Sequence, residues 1–326
     1  MFISEDTLDD VLRRIIRKLI RSKTRIKTSR GMTREIFGVL LQIDNPRARL
    51  SRTESKSTLF SCLGELLWYL AKTDKLSFIA YYAEKYRDES EDKKTIRGAY
   101  GPRLFGMNGQ NQIQNVLRVL GENRRSRRAV IQIFDSSDIA RRHKEIPCTC
   151  TMQFAIRHKR LDMLTNMRSN DAFLGLPHDV FAFTMIQEIM ASALNVRMGT
   201  YRHAVGSLHL YEKNIESARA YLREGWQSRV SMPRMPKGDP FCAIDVLLNA
   251  ERDFREGRTI NVKDLGLDPY WEDLARILQI YRHYRNNERE NIAPLKSLMH
   301  SRVYDSYIEK KRRTVPKQVK QSSNTQ

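Results

Sequence analysis

At 326 residues the chain can bury a large core in one domain or two. With 40% hydrophobic residues, an acidic start (Met1-Phe2-Ile3-Ser4-Glu5-Asp6) and no apolar run near the ~18 residues of a membrane span, it reads as cytoplasmic rather than secreted or membrane-inserted. Net charge is +20, but no zinc-finger, RRM or homeodomain signature accompanies it, so nucleic acid is not the expected partner.

Thr7 to Ser22 reads as an amphipathic helix with Leu8, Val11, Leu12, Ile15, Ile16 and Leu19 at helical spacing and Thr7 as its cap. Lys23 to Arg34 is a basic, hydroxyl-rich stretch before Phe37-Gly38. Ser57 to Leu70 is an apolar helical run that carries one carboxylate, Glu65. Arg97-Gly98-Ala99-Tyr100-Gly101 follows, then a helix over Asn111 to Leu120, the pair Arg127-Arg128 and a strand from Ala129 to Phe134. Cys148 stands after Pro147 and before Cys150, Met152, Phe154 and Ile156, a period of two that suits a half-buried strand. His158-Lys159-Arg160 is a polar turn, and Leu161, Met163 and Thr165 continue a second strand. Arg168-Ser169-Asn170-Asp171 groups a cation, a hydroxyl and a carboxylate. Asp179, just after Pro177, opens an apolar helix, and His209 and Tyr211 end a later segment. Asp239-Pro240 and Asp268-Pro269 each place a cap and a first-turn proline before helices of about 240–255 and 269–286. The other cysteines, Cys62, Cys150 and Cys242, form neither a disulfide framework nor a Cys-x-x-Cys metal site, so no metal is expected.

Four of these blocks occur together and in order: Pro147-Cys148-Thr149, Met167-Arg168-Ser169-Asn170-Asp171, Leu174-Gly175-Leu176-Pro177-His178-Asp179 and Gly206-Ser207-Leu208-His209-Leu210-Tyr211. The set resembles the thymidylate synthase family. Gly64-Glu65-Leu66-Leu67-Trp68-Tyr69-Leu70 resembles that family's glutamate-bearing helix. The resemblance covers roughly Arg25 to Asn214 and fades from Glu212 onward.

It implies an α/β (α+β) fold: a large mixed sheet with helices on one face, paired sheet-to-sheet in a homodimer. Residues 1–212 would form the catalytic core, 213–307 a helical elaboration packed on it, and 308–326 a basic disordered tail. It also implies covalent chemistry on a pyrimidine nucleoside monophosphate with 5,10-methylenetetrahydrofolate as co-substrate. Cys148 would attack C6, Glu65 would relay protons through water and Tyr100 would orient the site. Arg168 would lower the Cys148 pKa and bind phosphate with Ser169, and Arg127 and Arg128 would reach the partner's site. His209 and Tyr211 would meet the sugar and Asp171 the folate. The basic stretch 23–34 would hold phosphate, without indicating which residue does so.

One departure bears on the base. The family has asparagine where this chain has Asp179. An amide offers one donor and one acceptor and matches uracil, whereas a carboxylate accepts from the cytosine amino group. Asp179 therefore resembles the deoxycytidylate hydroxymethylase branch, which adds hydroxymethyl with water rather than methyl by hydride transfer. Thymidylate synthase or a C5-methyltransferase is the alternative, and a nucleic-acid-binding protein on an inactive enzyme fold is a further one. Thr149, Met167, His178 and Ser207 also depart from the family pattern and leave ribose and deoxyribose both open.

Overall fold

The computed structural model describes residues 1–54, 56 and 58–314. Among them, seven strands form one sheet: β1 (Phe2–Glu5), β2 (Arg25–Thr28), β3 (Gly31–Ile43), β4 (Val130–Gln132), β5 (Thr149–Arg157), β6 (Arg160–Asp171) and β7 (Arg197–Tyr211). Their order is β1-β3-β7-β6-β5-β4, with β2 paired to β3 off this path. The β1–β3 and β6–β7 pairs are parallel and the others antiparallel, so the sheet is mixed as expected.

Alternation decides which face of each strand is covered. Met152, Phe154 and Ile156 on β5, Leu161, Met163 and Thr165 on β6, and Tyr201, His203 and Val205 on β7 are buried under the helices. The opposite face carries half-buried Leu40, Gln42, Leu164, Asn166, Arg202 and Ala204. His158 and Lys159, with φ of +48° and +58°, make the two-residue turn between β5 and β6. Gly206 faces the Arg168 backbone, where an added Cβ would lie 2.9 Å from the carbonyl oxygen. That close approach lets β7 follow β6 through the functional segment.

The Leu8–Arg21 helix buries Val11, Leu12, Ile15, Ile16 and Leu19, and the Thr7 hydroxyl accepts from the Asp10 amide at 3.1 Å. Replacing Thr7 with alanine orphans that amide. We expect a loss of about 1 kcal/mol, read as a drop of about 2 °C in Tm. The Leu176–Ala193 helix is buried almost throughout and packs on the Leu59–Leu70 helix. No helix among the described residues is long and apolar enough to cross a membrane.

The C-terminal helices share the core. Tyr281 on the Pro269–Arg285 helix stacks on Phe60 and on Tyr82, with ring centroids 5.7 and 5.2 Å apart. The Tyr307 hydroxyl donates to the Ser51 carbonyl at 2.8 Å.

One stretch without an expected element gains one, and one expectation changes. The basic stretch 23–34 is a strand ribbon, β2 turning into β3, because Thr28 both accepts from the Arg30 amide and donates to the Gly31 carbonyl. Residues 308–313, expected to begin a disordered tail, are helical instead. The Asp305–Arg313 helix contains Ile308, which is fully buried, and Glu309, which pairs with Lys296 at 3.3 Å. Residues 315–326 lie outside the described residues.

Candidate active site

The site lies where the start of β5 meets the ends of β6 and β7. Cys148 is half-buried at the entry to β5. The guanidinium of Arg168 on β6 sits beside it, with Nη2 3.6 Å from Sγ. Arg168 is held there by donation to the carbonyls of Pro147 at 2.9 Å and Ile146 at 3.2 Å. Burial pushes the Cys148 thiol up to about 11; Arg168 pulls it back, while Asp179 and Glu145 add to the rise. The expected lowering by Arg168 is present, but desolvation outweighs it. Behind the thiol, the Tyr100 hydroxyl accepts from both the amide and the hydroxyl of Thr149, at 3.2 and 3.0 Å.

Asp179 stands in the first turn of the Leu176–Ala193 helix, half-buried at the site wall. The Asn170 amide donates to its Oδ2 at 2.5 Å. Burial raises the Asp179 carboxyl to about 7; Glu65 adds to the rise and the Asn170 bond opposes it. The Tyr100 phenol, bonded to Thr149 next to Cys148, packs its ring on Tyr69 with centroids 5.0 Å apart, and the Asp179 charge acts on both Tyr100 and Cys148.

Glu65 completes the cluster from the Leu59–Leu70 helix. Its Oε1 accepts from the Tyr69 hydroxyl at 2.8 Å and the Tyr86 hydroxyl at 2.7 Å. Burial acts to raise its pKa, yet His178, Lys85 and the two phenols hold it below the ordinary carboxylate value. Among the described residues its Oε2 is buried with no partner, as is Oδ1 of Asn170. Burial lowers the His178 imidazole from its ordinary value while Glu65 pulls it back up, and its Nε2 lies 2.9 Å from Ser61 Oγ. Two carboxylates in one pocket are thus pushed apart in acidity, Asp179 up and Glu65 down, a pattern that separates acid from base roles.

The register places Asp171 opposite His209 and Ser169 opposite Ser207. His209 and Tyr211 meet edge to face with centroids 5.2 Å apart. Asp171 Oδ1 caps the following turn, accepting from the Phe173 and Leu174 amides at 2.8 and 3.1 Å. Arg127 and Arg128 are exposed before β4, and their side chains make no hydrogen bond or ion pair among the described residues. The structure does not bring them into this chain's own cluster.

Sequence reading missed four members. Tyr69 lies one turn after Glu65, a spacing that could have revealed it. Tyr86 arrives from a separate short helix, Tyr86–Glu89, with no pattern to flag it. Asn170 was visible only as part of a block. Lys56 is buried with Nζ 3.0 Å above the Phe173 ring; burial lowers it to about 7 while Asp171 pulls it up.

Residues 6–244 match the sequence model of the family described as thymidylate synthase. The chain belongs to the thymidylate synthase family. The match runs past the motif-bearing stretch at both ends, into the Leu8–Arg21 helix and the start of the Phe241–Arg255 helix. A curated relative, the deoxyuridylate hydroxymethyltransferase of Pseudomonas phage M6, is 32% identical over 163 residues, 49% of this chain and 46% of that protein. The chain therefore spans about half the length of that relative. Among solved structures, thymidylate synthase from T4 phage aligns with a TM-score of 0.57 at 21% identity, over 66% of this chain and 81% of that one. That likeness is one of fold.

Proposed function

We propose that the chain is a pyrimidine-nucleotide C5 one-carbon transferase, a (d)CMP 5-hydroxymethylase working through a Cys148–C6 adduct. The observation that carries this reading is the clustering of Cys148, beside Arg168, with Asp179 and Glu65. Carbon 5 of a pyrimidine is a weak nucleophile. Addition of the Cys148 sulfur to C6 makes C5 enamine-like, and a later departure of the sulfur restores the ring. 5,10-Methylenetetrahydrofolate supplies the one-carbon unit.

The chain's own residues do the rest. Arg168 stabilises the thiolate and, with Ser169, takes the nucleotide phosphate. Asp179 accepts from the cytosine amino group. The free Oε2 of Glu65 holds a water, positioned to take or return a proton. His209 and Tyr211 meet the sugar. Asp171 suits the folate as a carboxylate for pterin N–H donors. Of the basic residues in 23–34, Arg30 pairs at 3.2 Å with Glu89, which ends the short helix that brings Tyr86 to Glu65. Arg127 and Arg128, exposed and unpaired, would serve a second copy that covers the open sheet face.

A second reading, hydroxymethylation of a uracil nucleotide, has its own support. The phage relative is named for deoxyuridylate. An Asp179 carboxyl near 7 is also partly protonated at neutral pH, and the protonated acid offers a donor and an acceptor as asparagine does. The test is incubation with dCMP, CMP or dUMP plus methylenetetrahydrofolate at pH 6 and pH 8, with products read by mass spectrometry. We expect hydroxymethyl product from a cytosine nucleotide, with its preference over dUMP rising with pH as Asp179 ionises. Methyl product with dihydrofolate would replace this reading with a thymidylate synthase activity, and preference for dUMP at both pH values would favour the second reading.

A further inference from the structure

A cleft of about 1000 Å³ opens at the other end of the sheet, remote from Cys148. It is walled by the 44–47 segment, the β5–β6 turn, the start of β7 and the extended 234–237 segment. Its lining includes Arg157, Lys159, Arg160, Arg197, Arg234 and Lys237, all exposed. Among the described residues, none of these six is within ion-pair distance of a carboxylate. The acids that line the cleft are committed elsewhere. Glu188 takes Arg49 at 2.5 Å, Asp162 accepts from the Thr200 amide at 2.9 Å, and Asp44 accepts from Gln42 at 2.8 Å. The lining holds seven Lys and Arg side chains against the three carboxylates Asp44, Asp162 and Glu188, so the cleft is positive on balance.

Arg47, also in the lining, is lowered from its ordinary pKa first by burial; Glu188 opposes the fall, and the like charges of Arg234 and Arg49 add to it. The lining also includes the apolar side chains of Pro46, Val196, Met198, Met235 and Pro236, interspersed with the cations. No aromatic ring lines the cleft apart from the imidazole of His158, whereas single-stranded nucleic acid is held by stacking on aromatic side chains. A volume of this size is that of a small-molecule pocket.

We propose that this cleft binds a nucleoside triphosphate, its phosphates among the cations and its nucleoside against the apolar side chains of the lining. The inference stands apart from the proposed chemistry at Cys148, since no residue is shared.

The test is titration of the full-length protein with dCTP, tripolyphosphate and a single-stranded oligonucleotide by calorimetry, for the native chain, Arg160→Glu/Arg197→Glu and Arg168→Ala. We expect dCTP to bind the native chain and the Arg168 variant alike, and the double variant to bind it about tenfold or more weakly. Tripolyphosphate should bind more weakly than dCTP because it lacks the apolar contact. Native circular dichroism and unchanged nucleoside monophosphate binding would show the double variant folded; if it is not, Lys159→Gln/Lys237→Gln takes its place with the same expected direction. Binding lost in Arg168→Ala, binding unmoved by the charge changes, or tighter binding of the oligonucleotide would each overturn the proposal.

Discussion

Replacing Cys148 with alanine is expected to lower turnover by roughly 10⁴-fold or more, the scale seen when a covalent nucleophile is removed. Nucleotide binding should survive, because Arg168 is anchored by the Pro147 and Ile146 carbonyls rather than by the sulfur. The native enzyme should form an adduct with a C5-blocked cytosine nucleotide, visible as added mass on the intact protein, and the variant should not. Turnover that persists in Cys148→Ala would remove the covalent route. Because burial holds the free thiol up to about 11, alkylation by iodoacetamide should be slow at pH 7 and quicken towards pH 10.

The second large effect is expected at Asp179. Asp179→Asn restores a donor and an acceptor at one position, and preference should move from cytosine towards uracil nucleotides by about 10³-fold in relative kcat/KM. Unchanged selectivity would show that another group reads the base. Stability should change as well. Burial raises this carboxyl from 3.8 to about 7, so the folded state prefers the protonated form. The native chain therefore loses stability as pH climbs between those values, and the penalty is complete above about 7. The asparagine variant does not ionise there. It should be more stable than the native chain at pH 8, by on the order of 1–3 kcal/mol, and similar at pH 4. Since Asp179 also adds to the rise at Cys148, the variant's thiol should alkylate at lower pH.

The parts of the site legible in the sequence are those in which local pattern and chemistry coincide. Alternation along 148–156 announced the strand behind the nucleophile, and the proline before Asp179 announced the start of its helix. Tertiary assembly hid the rest. Tyr86 reaches Glu65 from a four-residue helix, too short for periodicity to register. The acidity of Cys148 depends on how tightly protein surrounds it, which no spacing encodes. The basic ribbon of β2 and the start of β3 carried no strand signal because its side chains are mostly exposed, leaving no inward-facing set to mark strands. The Asp305–Arg313 helix was hidden because only Tyr307 and Ile308 are buried among its cations. The second cleft draws its walls from segments almost two hundred residues apart, so its charge was visible only as part of the overall +20.

The tyrosine behind the thiol has one more consequence. With both lone pairs of its oxygen engaged by Thr149, the Tyr100 hydroxyl has only its own hydrogen left to offer, so any incoming molecule meets a donor and never an acceptor there. Removing that oxygen, as in Tyr100→Phe, would orphan two groups on the residue next to the reactive sulfur. The damage would then be felt first as slack in the peptide carrying the nucleophile, before any contact with the ligand is lost.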